Sequence, residues 1–253
     1  MPSLEVLFAP AEFMMLPRRN LGETVCVVFD VLRATSTMIT ALANGAEAIY
    51  PVSEIEEALE LRRRNPEILL AGEREGFRIE ASAANGTVFE FGNSPREFTS
   101  NRVSGRTIAT TTTNGTRALR GCLDGRARLI LIGAFLNLNA TTELLLRDKP
   151  ENLLLVCSGT HDQAAGEDIL AAGALVELLW QFYGKGTVSD SALIAHKFYQ
   201  LEATDIEAAM SRTRNGRRLL SLPDLRDDVA FCAKLNAYPI VAALDSDGAV
   251  RRK

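Results

Sequence analysis

Val25-Cys26-Val27-Val28-Phe29-Asp30-Val31-Leu32-Arg33-Ala34-Thr35-Ser36-Thr37 is the stretch that decides the fold of this chain. Its first five residues are apolar, mostly β-branched or aromatic, and no polar residue alternates among them. That is the pattern of a strand buried on both faces of an α/β sheet. From Ser36 to Ala43 the pattern becomes helical. An acid, a fixed cation and a cluster of hydroxyls therefore sit where a strand turns into a helix. In an open α/β sheet ligands bind there, outside the carboxyl ends of the strands. An Asp can hold a metal, an Arg can grip an oxyanion, and a helix N-terminus favours negative charge. Together they point to chemistry on a phosphorylated or otherwise anionic small molecule. A capping Asp with an Arg on a solvated helix end is the plainer alternative.

The same short apolar pattern recurs at Leu4–Phe8, Ala46–Tyr50, Ile68–Ala71, Thr107–Thr110, Arg128–Ile132, Leu153–Cys157 and Pro239–Leu244. Between these strands, helices are predicted at Ile55–Arg64, Pro95–Ser100, Thr116–Gly121 and Leu138–Asp148. Beyond them come Glu167–Tyr183, Ser189–Gln200, Ala203–Ser211, Arg214–Leu220 and Asp224–Ala233. Strands alternating with helices predict α/β layers. The last third reads as mostly helical and covers one face of the sheet. Residues 1–253 are read as a single α/β domain, or as two intimately packed lobes. The 253 residues suffice for a large core, and 47% hydrophobic with 24% charged residues is the composition of an ordinary globular protein. A formal net charge of -4 argues against a nucleic-acid partner.

The four cysteines, Cys26, Cys122, Cys157 and Cys232, lie far apart and form no CxxC. They read as reduced core residues, so a cytoplasmic location is expected. No apolar run is long enough to span a membrane, and Met1 to Pro10 lack the basic and apolar regions of a signal peptide. Base rates for oligomers make a homodimer the expectation if the chain self-associates.

If the sheet is largely parallel, the loops after its strands meet along one edge. Asp30 and Arg33 follow Val25–Phe29, and Gly72-Glu73-Arg74 follow Ile68–Ala71. Thr111-Thr112-Thr113-Asn114-Gly115-Thr116 follow Thr107–Thr110, and Ser158-Gly159-Thr160 follow Leu153–Cys157. By itself, the Glu73 segment reads as a charged surface turn. Ser94-Pro95-Arg96-Glu97 reads as a capping box, with Ser94 as N-cap, Pro95 first in the helix and Glu97 returning to the cap. Asn93 and Ser94 expose N–H groups that an anion can use. The Thr112, Thr113, Asn114 and Thr116 loop can form an anion-binding concavity, with Arg117 adding charge, and a plain turn is the alternative. It is not a Walker A loop, because no Gly-Lys-Ser/Thr closes it. Glu167 and Asp168 open a long helix. They complement its dipole or, with Ser158 and Thr160 near them in sequence, ligate a hard divalent cation. Arg212 to Arg218 reads first as a solvated helix end and second as a grip for another anion. The chain has no Gly-x-Ser-x-Gly elbow and no Gly-x-Gly-x-x-Gly, and only two histidines, His161 and His196.

The segments Phe29–Thr37, Gly92-Asn93-Ser94-Pro95, Thr112-Thr113-Asn114-Gly115-Thr116 and Glu167-Asp168 occur in the order seen in the 2-phosphosulfolactate phosphatase (ComB-type) family, which this chain resembles from Leu4 to Asp227-Asp228. The resemblance implies a three-layer α/β/α fold with a largely parallel or mixed sheet. It implies a Mg²⁺-dependent phosphatase that hydrolyses 2-phospho-3-sulfolactate to sulfolactate and phosphate, in coenzyme M or sulfolactate metabolism. Asp30, Glu73, Glu167 and Asp168 are then the pool of metal ligands, with Asp30, Glu167 and Asp168 supplying the general base. Arg33, Asn93, Ser94, Thr112, Thr113, Asn114, Thr116, Arg117, Ser158 and Thr160 are expected to hold the phosphoryl group and the other anions of the substrate. A haloacid-dehalogenase-type route through an aspartyl phosphate is disfavoured, because the position two after Asp30 is Leu32, which carries no proton. A non-catalytic binder of an anionic metabolite, or a phosphatase of a related non-sulfonated phospho-acid, is the competing reading.

Overall fold

The computed structural model describes residues 1–112 and 114–253. Its strands are β1 (Ser3–Leu7), β2 (Thr24–Phe29), β3 (Ala48–Val52), β4 (Leu69–Arg74), β5 (Phe77–Arg78), β6 (Thr107–Thr111), β7 (Leu129–Gly133), β8 (Asn152–Cys157), β9 (Thr187–Val188), β10 (Ala242–Leu244) and β11 (Val250–Arg252). They join into one mixed sheet in the order β5-β4-β6-β3-β11-β10-β7-β2-β8-β1-β9.

β2 shows why the sheet has helices on both sides. Val25, Val27 and Phe29 belong to one buried cluster, with Leu153, Leu155 and the helix Gly166–Tyr183. Cys26 and Val28 belong to another, with Leu154, Val156 and the helix Ala34–Ala43. Successive side chains of a strand point to opposite faces, so a run without polar residues needs an apolar partner on each. Each such buried Val, Leu or Phe contributes about 1.5–3 kcal/mol relative to exposure. The α/β/α layering is as expected.

β7, β2, β8 and β1 form one parallel block, and β3, β6 and β4 form another. The C-terminal hairpin β10–β11 lies between them and pairs antiparallel to β7 on one side and to β3 on the other. Three antiparallel steps reverse the strand sense, so by pairing alone the loops of the two blocks would face opposite edges. The expectation of one common parallel edge is corrected here. The loops still meet: Asp30, Glu73, Thr112 and Thr160 line one cleft. The helix Gly115–Asp124, which follows β6, packs against β2 and β7 of the other block.

Several element boundaries moved. β4 runs on to Arg74, so Glu73 is inside a strand and buried rather than on a surface turn. The helix predicted at Pro95–Ser100 is a 3₁₀ turn, Pro95–Glu97, followed by a short helix, Ser100–Val103. The Ser94 side chain makes no cap, and the Glu97 carboxylate accepts from the Gly92 N–H instead. Strand Pro239–Leu244 shrinks to β10, and β5, β9 and β11 carried no signal strong enough to read. All four cysteines are free and buried. Among the described residues no helix is long and apolar enough to cross a membrane.

Candidate active site

The end of β2 places Asp30 with its carboxylate at the start of the helix Ala34–Ala43. The Ala34 N–H donates to Asp30 Oδ1 (3.2 Å), and the Asp30 N–H donates to Thr35 Oγ1 (3.1 Å). The capping role read from the sequence therefore occupies one oxygen. The other faces Gly115, where an added Cβ would stand 2.9 Å from Asp30 Oδ2 and 2.9 Å from the Ala34 Cβ. Gly115 is what lets the helix after β6 approach the helix after β2. Gly115→Ala is expected to cut turnover by up to about 10²-fold through a displaced Asp30. The measurement is kcat alongside the melting temperature. Unchanged kcat would show that the approach is not needed.

Asp30 lines a cleft of about 370 Å³ together with Leu32, Arg33, Glu73, Arg74, Asn93, Thr112, Asn114, Thr160, His161, Asn215 and Arg218. That volume suits a small ligand. Burial pushes the Asp30 carboxyl up to about 7, reinforced by Glu73 and Glu167, while the Ala34 N–H and Arg33 oppose the rise. The Glu73 carboxylate accepts from the Gly76 N–H at 2.7 Å.

Arg33 is buried. Its Nη1 donates to Asp228 Oδ2 (2.8 Å) and its Nη2 to the Gly76 carbonyl (2.8 Å). The Leu32–Arg33 peptide is cis. Asp228 is fully buried and accepts on its other oxygen from Ser94 Oγ (2.7 Å) and Arg96 Nε (2.7 Å). Ser94 therefore faces Asp228 rather than the cleft wall.

Glu167, Asp168 and Ser158 lie beneath the cleft, 1%, 2% and 0% exposed. Asp168 accepts from the Val31 N–H (2.8 Å) and the Gly159 N–H (3.1 Å), which ties the loop after β2 to the loop after β8. Burial, with the charges of Glu167 and Asp30, pushes its carboxyl well up against the pull of those two donors. Glu167 Oε1 accepts from Asn215 Nδ2, which also donates to Thr160 Oγ1 (2.8 Å). Glu167 Oε2, Ser158 Oγ and Thr112 Oγ1 are buried with no hydrogen-bond partner among the described residues.

Asp30, Arg33, Glu73, Asn93, Thr112, Asn114 and Thr160 are thus brought to one cleft. Thr116 faces a different cavity, and Arg117 is exposed and pairs with Asp162 at 3.2 Å. Thr113 lies outside the described residues. The sequence reading gave no site role to His161 or Asp228, and held Asn215 and Arg218 only within a basic segment read second as a grip for an anion. The basic run at Arg212 to Arg218 was the available signal: its helix is not wholly solvated, because Asn215 and Arg218 line the cleft. The cavity that Thr116 faces is larger, about 570 Å³, and sits between the helices Ile55–Arg64 and Gly115–Asp124. None of its charged residues is buried, whereas Asp30, Arg33 and Glu73 of the smaller cleft are.

Among the described residues no three His, Cys, Asp or Glu side chains form a complete metal-binding group. Mg²⁺ needs no such cage, since it takes one or two carboxylates and completes its shell with water and substrate phosphate. The orphaned Glu167 Oε2 and the mutually repelling Asp30, Glu73 and Glu167 fit a divalent cation by charge and donor type.

Residues 14–247 match the family described as 2-phosphosulpholactate phosphatase. The chain is 36% identical over 233 residues to a probable 2-phosphosulfolactate phosphatase of Thermotoga maritima, covering 92% of this chain and 94% of that one. It is 37% identical over 238 residues to one of Carboxydothermus hydrogenoformans, covering 94% and 91%. A third, from Symbiobacterium thermophilum, is 37% identical over 227 residues, covering 89% and 93%.

Proposed function

The chain belongs to the 2-phosphosulpholactate phosphatase family, and from that premise we propose that its cleft hydrolyses 2-phospho-3-sulfolactate to sulfolactate and phosphate, with Mg²⁺ as cofactor. The observation that carries the reading is the presence of two buried acids, Asp30 and Glu73, and the buried cation Arg33 in the lining of one cleft. An anion-binding protein gains nothing from clustered carboxylates, whereas phosphate-ester hydrolysis needs both a grip on the phosphoryl oxygens and a place for a proton.

Asp30, Glu73 and Glu167 are the residues that would hold the cation. Bound Mg²⁺ supplies charge neutralisation on a phosphoryl oxygen and a more acidic water. The Arg33 guanidinium, with Asn93, Thr112 and Asn114, binds the phosphoryl oxygens. Arg74 and Arg218 give the carboxylate and sulfonate a basic rim. With the cation held, Asp30 would stay a carboxylate and orient the attacking water. As the new O–P bond forms and the ester P–O bond breaks, the proton released by the water ends on the ester oxygen of the departing sulfolactate. Leu32 lines the cleft two residues after Asp30 and offers no acid for an aspartyl-phosphate route.

The test is phosphate release with and without Mg²⁺ from phosphosulfolactate, phospholactate and phosphoglycolate. Mg²⁺-dependent turnover with the sulfonated ester preferred is expected. Equal rates would remove the sulfonate from the substrate claim. Tight binding without release would favour a non-catalytic binder.

A further inference from the structure

We infer that Asp228 is a positioning residue, which acts through Arg33 to hold the guanidinium against the phosphoryl group. The inference rests on the reading of the cleft as a phosphate site. Arg33 belongs to the loop after β2, and Asp228 lies far away in sequence on the helix Asp227–Cys232. One fully buried carboxylate gathers Arg33 Nη1, Ser94 Oγ and Arg96 Nε at 2.7–2.8 Å. It therefore joins the β2 loop, the Gly92–Glu97 loop and the C-terminal helical layer.

The Arg33 guanidinium is 3% exposed on its side chain, so it has little freedom to find an anion by itself. Its Nη2 is held by the Gly76 carbonyl and its Nη1 by Asp228, which fixes the plane of the fork. A guanidinium has five N–H donors. Two of them are held, and Arg33 lines the cleft, where bidentate recognition of an oxyanion depends on that plane. Arg96 is a second cation on the same carboxylate but does not line the cleft, so the two arginines can be separated by experiment.

The test compares full-length wild type with Asp228→Asn, Arg33→Met and the double variant. Inorganic phosphate is titrated by calorimetry, with KM, kcat and melting temperature measured in parallel. By analogy with the outer partners of metal ligands, Asp228→Asn should weaken phosphate binding by about 10–100-fold and raise KM. On the Arg33→Met background the same substitution should change nothing further, an outcome that a purely structural role does not produce. Asp228→Glu keeps the charge but shifts the carboxylate, and should also weaken binding; it serves if the Asn variant does not fold. Arg96→Gln should bind phosphate as wild type does.

Additive losses in the double variant would overturn the inference. So would wild-type phosphate affinity in both Asp228 variants, or an equal loss in Arg96→Gln. Wild-type protein that neither turns over the ester nor binds phosphate overturns the functional reading as well. Wild type that does both, with unchanged Asp228 variants, overturns the inference alone.

Discussion

Asp30→Asn is expected to abolish turnover and to stabilise the cation-free protein at the same time. The loss should be about 10²-fold or more, because the amide weakens both the hold on the cation and the orientation of the attacking water. The amide keeps an oxygen for the Ala34 N–H, so the local cap survives. The stability gain follows from the raised carboxyl. In the unfolded chain the group ionises near its ordinary 3.8, whereas in the fold it ionises at about 7. Between these values the unfolded state binds fewer protons than the native state. Stability therefore falls as pH rises from about 4 to about 7 and is level above that. The sign is opposite to that of a salt-bridged carboxylate. One pKa unit corresponds to about 1.4 kcal/mol, so the penalty above pH 7 is on the order of a few kcal/mol. Asp30→Asn should flatten this slope and raise the melting temperature at pH 8 by several degrees in chelator. Equal melting temperatures at pH 8, or retained turnover, would show that Asp30 is an ordinary helix cap.

Chelation of divalent cations should remove turnover, and added Mg²⁺ should restore it. Phosphate monoesters are among the slowest substrates to hydrolyse unaided, so the loss of a charge worth several kcal/mol in the transition state costs roughly 10³-fold or more. A stability readout accompanies this. At about 100 times its Kd a ligand stabilises the native state by about 2.7 kcal/mol. The carboxylates must be deprotonated to bind, so Mg²⁺ should raise the melting temperature more at pH 8 than at pH 5. Asp30, raised to about 7, sets that window. The shift should shrink in both Asp30→Asn and Glu167→Gln. Full turnover in excess chelator would exclude a catalytic cation, and an undiminished shift in both variants would place it elsewhere.

Asp30, Arg33 and the hydroxyl loop were legible because strand ends announce themselves. An apolar run stops, a helix begins, and polar residues between them have a known place. Glu73 was half legible: its residue type was noticed, but the strand that buries it was read three residues too short. Ser94 misled, because its capping box fits a local rule that a distant buried carboxylate overrides. Asn215 and Arg218 were legible only as the second reading of their segment, since a basic segment on a short helix looks the same whether it faces solvent or a site, and His161 carried no signal.

By itself the sequence determined the layering and the kind of chemistry. Both follow from local patterns: strands without polar alternation need cover on both faces, and an acid with an Arg at a strand end meets anions. The tertiary structure alone decided how the loops meet. The hairpin β10–β11 reverses the strand sense between two parallel blocks, and the helix after β6 packs against β2 of the other block and brings Gly115 against Asp30. It also decided that Asp228 grips Arg33. Such long-range pairings depend on strand order and twist, which side-chain periodicity along a single strand does not encode.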